Sequence, residues 1–121
     1  MRGPPTGIVC DDAPGFRVLM SALLREAGVV IREVGESWRD AERLAPGCDV
    51  VVLDLWMPEF EPAALQRVRE VAPHATLAVV TALDLDDAAE KVSGVPVDLL
   101  LSKSAPPTEV AEQIARHAAC A

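Results

Sequence analysis

Apolar positions along this chain follow two alternating rhythms. Unbroken runs occur at Gly7-Ile8-Val9-Cys10, Val50-Val51-Val52-Leu53, Leu77-Ala78-Val79-Val80 and Val97 to Leu101. Runs of this length between turn residues read as strands buried on both faces, as in a parallel sheet. Between them the spacing turns helical. Phe16, Leu19, Met20, Leu23 and Leu24 make one stripe, with Pro14 suited to the first turn and Gly28 to the end. Val29 to Val34 reads as a further strand, which Arg32 and Glu33 place near the sheet edge.

Ser37 and Asp40 resemble a capping pair for a helix whose apolar side is Trp38, Ala41, Leu44 and Ala45, ended by Pro46-Gly47. Leu65, Val68 and Ala72 supply the stripe of another helix, stopped by Pro73. The acidic segment Asp84 to Val92 has the weakest apolar side, and Asp84, Asp86 and Asp87 read as a solvated helix start. Pro106 to Glu109 opens a last helix with Val110, Ala111, Ile114, Ala115 and Ala118 facing inward. The run ending at Asp54 is the most uniformly apolar and is placed centrally. Five strand–helix repeats predict an α/β domain, an open sheet with helices on both faces. Residues 1–6 are expected to be a disordered N-terminal segment and residues 7–119 the domain.

Composition narrows the choice. A chain of 121 residues fits one domain with one core. Aromatics are 3% and Tyr is absent, so the core must be Val, Leu, Ile and Ala. A net charge of −8 without a Lys/Arg cluster argues against direct nucleic-acid binding. No apolar run approaches the ~18 residues that cross a bilayer, and Met1 to Gly7 lacks a secretory apolar segment. Cys10, Cys48 and Cys120 are scattered, which fits a reducing cytoplasm; Cys10 reads as a small core residue and Cys120 as exposed. His74 and His117 have no partner at ligand spacing and read as surface histidines.

The chemistry lies where the strand runs stop. They end on Asp11-Asp12, on Asp54, on Thr81 and, through Ser102, on Lys103. The carboxyl ends of parallel strands share one sheet edge, where ligands bind. Two like charges at ~4 Å repel by about 4 kcal/mol at an effective dielectric near 20. Three carboxylates therefore shift their pKa values upward or share a cation. A hard divalent cation suits oxygen ligands, and Mg²⁺ is the common one around phosphates. It would neutralise a phosphoryl group so that a carboxylate can act as nucleophile. Lys103 offers a mobile positive charge and Thr81 a hydroxyl donor to the remaining phosphoryl oxygens.

These residues in this order resemble the receiver domain of two-component response regulators, from about Gly7 to about Ala119. The likeness is carried by Asp11-Asp12, by Val51-Val52-Leu53-Asp54-Leu55-Trp56-Met57-Pro58, by Thr81-Ala82 and by Lys103. It implies a doubly wound (βα)5 fold, a five-stranded parallel sheet of order 2-1-3-4-5, flavodoxin-like. It implies that Asp54 accepts a phosphoryl group from a sensor histidine kinase. Asp12 and Asp54 are implied as direct Mg²⁺ ligands with the Trp56 main-chain carbonyl, Asp11 acting mostly through water. Thr81 and Lys103 match the phosphoryl-contacting positions. No turnover of an outside substrate is implied, only slow self-dephosphorylation and a switched interaction face, with a homodimer among its partners.

The segment Lys103-Ser104-Ala105-Pro106-Pro107-Thr108-Glu109 resembles the subgroup that usually precedes a helix-turn-helix DNA-binding domain. Transcription regulation through DNA would need such a C-terminal domain, which this sequence does not contain. Three positions depart from the family pattern. Leu100 stands where an aromatic residue usually precedes the lysine, Glu61-Pro62 replaces an Asp-Gly pair, and Ser104 replaces a frequent proline. Trp56 is expected at the rim of the site, hindering water and slowing loss of phosphate. A degenerate receiver acting as an unphosphorylated interaction module is the main alternative, kept open by Leu100 and Pro62. A haloacid-dehalogenase-type phosphohydrolase would need an acid where Trp56 stands. A nucleotide- or flavin-binding domain would need a Gly- or Ser/Thr-rich loop where Asp11-Asp12-Ala13-Pro14-Gly15 stands.

Overall fold

The computed structural model describes residues 3–120. Strands and helices alternate: β1 (Thr6–Cys10), α1 (Pro14–Glu26), β2 (Val30–Gly35), α2 (Trp38–Leu44), β3 (Val50–Leu53), α3 (Pro62–Val71), β4 (Thr76–Thr81), α4 (Leu85–Lys91), β5 (Leu99–Ser102) and α5 (Pro107–Cys120). All strand pairs are parallel and the sheet order is β2-β1-β3-β4-β5. Thr6 is already in β1, paired with Val30, one residue earlier than the expected domain start. Met1 and Arg2 of the expected disordered segment lie outside the described residues.

Strand alternation divides the core in two. Ile8, Cys10, Val51, Leu53, Leu77 and Val79 face α2, α3 and α4, meeting Trp38, Ala41, Leu65, Val68 and Ala88. Val9, Val50, Val52, Ala78 and Val80 face α1 and α5, meeting Met20, Leu24, Val110, Ala111 and Ile114. Every residue of β3 and β4 is buried, whereas β2 shows a mostly exposed edge. The helix starts follow the local sequence. Ser37 Oγ accepts the Asp40 N–H at 3.1 Å, Asp84 Oδ1 accepts the Asp86 N–H at 2.9 Å, and Pro14 and Pro62 open their helices.

Three details differ from the expected pattern. Leu19 is 44% exposed and Ser21 is buried instead, its hydroxyl donating to the Arg17 carbonyl at 2.7 Å. The inward face of α1 is thus turned toward Ser21, because α1 must serve both the sheet and α5. His117 is half-buried, not a surface residue, and its Nδ1 shares a 3.1 Å hydrogen bond with the buried Thr76 hydroxyl. Arg69 closes the end of α3. Its guanidinium donates to the carbonyls of Ala72, Pro73 and Ala75 at 2.9, 2.9 and 2.7 Å and meets Asp98 at 3.2 Å. That gathers the carbonyls of the turn between α3 and β4 around one cation.

Gly7 lies close against β3: a Cβ there would lie 2.7 Å from the Val50 carbonyl oxygen, a backbone atom held by the sheet. Gly15, in the first turn of α1, has open space around the same position. Gly7→Ala should therefore cost about 1–3 kcal/mol. Gly15→Ala should be neutral or gain about 0.5 kcal/mol. Urea unfolding of the two variants checks this, and equal stabilities would refute the close-approach reading.

Candidate functional site

The interstrand hydrogen-bond ladder runs past the strand ends and fixes the site backbone. Asp11 N–H donates to the Gly35 carbonyl at 3.0 Å, Asp54 N–H to Cys10 at 3.1 Å, and Lys103 N–H to Thr81 at 2.8 Å. Register pairs Cys10 with Leu53 and Thr81 with Ser102, so Asp11 stands beside Asp54 and Lys103 beside Thr81. β1 and β3 are neighbours although β2 intervenes in the chain. Their following helices leave to opposite faces, which opens a crevice at the strand ends.

Asp11, Asp12 and Asp54 each turn a carboxylate oxygen into this crevice, all within 4.8 Å of one another. Asp11 and Asp54 are buried, Asp54 being only 2% exposed, while Asp12 is exposed at the mouth. Asp11 Oδ1 accepts the Ala13 N–H at 2.8 Å, and Arg17 Nη1 donates to the Asp11 carbonyl at 2.8 Å. Asp54 Oδ1 accepts the Trp56 N–H at 3.2 Å and Oδ2 accepts from Lys103 Nζ at 3.3 Å. The same Nζ lies 2.7 Å from Asp11 Oδ2, but at an angle that leaves this buried oxygen without a directed hydrogen bond.

Burial pushes the pKa of Asp54 up and the Asp11 charge adds to it, against the pull of the Trp56 N–H and Lys103. For Lys103 burial disfavours the ammonium, yet Asp11 and Asp54 outweigh it and hold the pKa above the usual lysine value. One ammonium faces three acids, so the crevice remains short of positive charge. Three convergent carboxylates, two of them buried, fit a small hard cation.

The β3–α3 loop is anchored by Leu55 and Met57, both buried, which leaves Trp56 between them 55% exposed at the rim. Its carbonyl, the expected further ligand, lies in that turn. Glu59, two residues beyond Met57, has φ of 66°, a conformation that side-chain-bearing residues seldom adopt. Thr81 is buried and its Oγ1 accepts the Leu83 N–H at 3.1 Å. Among the described residues no hydrogen bond joins that hydroxyl to Asp54 or Lys103. Leu100 is half-buried and packs against the α2–α3–α4 side of the core. His74 and the Asp84–Asp87 segment stand apart from the site, the latter as the start of α4. Cys10 is core, its thiol pushed up to about 12 by burial and then by Asp40 and Cys48, whereas Cys120 is exposed. Sequence reasoning gave no site role to Phe16 or Arg17. Both sit in the first turns of α1, and only their place beside Asp11-Asp12 signals it.

A parallel sheet of order 2-1-3-4-5 with an acidic crevice at the β1/β3 switch point defines a class, and comparison with known proteins supplies the family. The response regulator receiver domain profile matches residues 8–115, and the chain belongs to that family. No curated protein matches the sequence. Among solved structures it is similar to the signal receiver domain of NarL from Mycobacterium tuberculosis (20% identity, 98% of each chain, TM-score 0.84). It is also similar to a LuxR-family DNA-binding response regulator from Staphylococcus aureus (24% identity, 94% of this chain and 98% of that one, TM-score 0.82). A third likeness is a Burkholderia pseudomallei response regulator with a phosphorylated aspartic acid and a calcium ion (19% identity, 95% of this chain and 69% of that one, TM-score 0.78).

Because folding raises the Asp54 pKa, the folded protein binds that proton more tightly than the unfolded chain. The carboxyl group favours folding in acid and loses that contribution as pH rises through the raised value. Asp54→Asn should then raise stability at neutral pH by on the order of 1 kcal/mol, about 4 °C in melting temperature. The gap should close as pH falls toward the ordinary value of 3.8. Thermal melts across that range test it; a less stable variant at neutral pH contradicts the charge argument.

Proposed function

We propose that this domain is a phosphorylation-controlled switch that takes a phosphoryl group from a sensor histidine kinase onto Asp54 and changes an interaction face. The observation that supports this most is the Lys103 ammonium bridging Asp11 and Asp54 beside Asp12, at 2.7 and 3.3 Å. Asp11, Asp12, Asp54 and the Trp56 carbonyl would hold Mg²⁺, which when bound neutralises negative charge on phosphoryl oxygens. Burial strips water from Asp54 and makes its ionised oxygen more basic, as a nucleophile needs. A carboxylate oxygen forms the P–O bond while the P–N bond to the kinase histidine breaks. The imidazole leaves with the electron pair and takes a proton from solvent.

Lys103 then turns its ammonium from Asp54 Oδ2 to a phosphoryl oxygen, a short movement from a preset position. The Thr81 hydroxyl accepts from Leu83 N–H and keeps its own proton to donate. Turning it toward Asp54 breaks the Leu83 bond, so phosphate is felt in the loop entering α4. The face of α4, β5 and α5 follows, and a partner or a second copy of the chain binds it. Leu100 supplies no ring to follow Thr81, so the loop movement carries the signal. Any DNA contact would need a separate C-terminal domain, and the domain works in the cytoplasm. No helix among the described residues is long and apolar enough to cross a membrane.

Tryptophan fluorescence reports on the site because Trp56 is at its rim. Mg²⁺ should give one change and beryllofluoride, a phosphoryl mimic, a second, with the second absent in Asp54→Asn. A wild type silent to both sinks the phosphoacceptor reading in favour of the interaction module. Trp56→Ala should shorten the phosphoryl half-life several-fold by admitting water, measured after phosphorylation with acetyl phosphate; an unchanged half-life removes that role from the indole.

A further inference from the structure

The Lys103 ammonium is held on three sides. Two are the carboxylates of Asp11 and Asp54, and the third is the ring of Phe16, whose centroid lies 4.4 Å from Nζ. Phe16 stands in the first turn of α1, half-buried, and packs against the core on the α1–α5 side. Packing alone explains it only in part, since Leu or Met would fill similar volume. An aromatic adds a negative π face, which attracts a cation within about 6 Å and does so more strongly where water is excluded. Lys103 is such a cation, with only 18% of its side chain exposed.

The ring is also neutral. A further carboxylate in its place would hold the ammonium but repel phosphoryl oxygens. Without any third contact the flexible lysine stem lets the charge swing between the two acids and solvent. We infer that Phe16 is a positioning residue, whose ring face seats the Lys103 ammonium where it meets a phosphoryl oxygen on Asp54. This rests on the phosphoacceptor reading above. Transition-state and product charge are stabilised best by groups that reorganise little, and the ring limits the lysine to that short turn.

A double-mutant cycle on the full chain tests it. Phe16→Leu, with Phe16→Met as a second ring-free variant, should weaken beryllofluoride binding in saturating Mg²⁺ by about three- to tenfold. Mg²⁺ affinity measured alone should stay as in the wild type, and Phe16→Tyr should restore beryllofluoride binding. In a Lys103→Met background, Phe16→Leu should add no further loss. Unchanged beryllofluoride affinity in both ring-free variants overturns the inference. So does an equal loss with and without the lysine, or a parallel loss of Mg²⁺ affinity, since either makes the ring mere packing. A wild type that ignores beryllofluoride instead sinks the phosphoacceptor reading, and the inference with it.

Discussion

Two buried carboxylates share one ammonium at the mouth of this sheet, and that imbalance sets the terms for the surrounding structure. Asp11 and Asp54 have almost no contact with solvent, and like charges this close destabilise one another unless a cation intervenes. Lys103 supplies part of the answer at 2.7 and 3.3 Å. The Ala13 and Trp56 amides supply more, each donating to one carboxylate oxygen. The remainder is left open to a metal ion and, on the phosphoacceptor reading, to phosphate. A site that were fully neutralised by its own side chains would have nothing to recruit.

The fold holds this unfavourable cluster together by making its backbone part of the sheet. Asp11, Asp54 and Lys103 each donate a ladder hydrogen bond to a neighbouring strand, so none can withdraw without breaking sheet structure. Cores on both faces then bear the cost: β3 and β4 are buried throughout, against α1 and α5 on one side and α2, α3 and α4 on the other. The loop after β3 uses the same device, with Leu55 and Met57 sunk in the core and Trp56 left at the rim.

Membership of the receiver family accounts for the architecture, and the positions where this chain departs from the family pattern lie around the crevice and on β5. Leu100 gives β5 an aliphatic contact with the core in place of a ring. Thr81 is tied to Leu83 N–H, which makes the start of the β4–α4 connection the first structure to sense any movement of the hydroxyl. The left-handed Glu59 lies in the β3–α3 loop near Pro62, which opens α3.

Strand identities, most helix stripes and the meeting of Asp11, Asp12, Asp54 and Lys103 at one sheet edge were legible in the residues themselves. Local hydrophobic period and turn chemistry decide elements, and parallel strands must place their carboxyl ends together. Capping at Ser37, the helix start at Asp84 and the burial of Cys10 followed from the same local rules. The rotation of α1 that buries Ser21 and exposes Leu19, the His117–Thr76 bond and the Arg69 clamp did not follow, because each depends on an element distant in sequence. Nor did the left-handed Glu59, which only the anchoring of its loop enforces. Phe16 shows the boundary best. Its periodicity marks it as a core residue, and only the tertiary fold sets the first turn of α1 beside the residue that follows β5 and so brings its ring to the Lys103 ammonium, since a hydrophobic stripe records that a side chain is buried but not which charge it meets there.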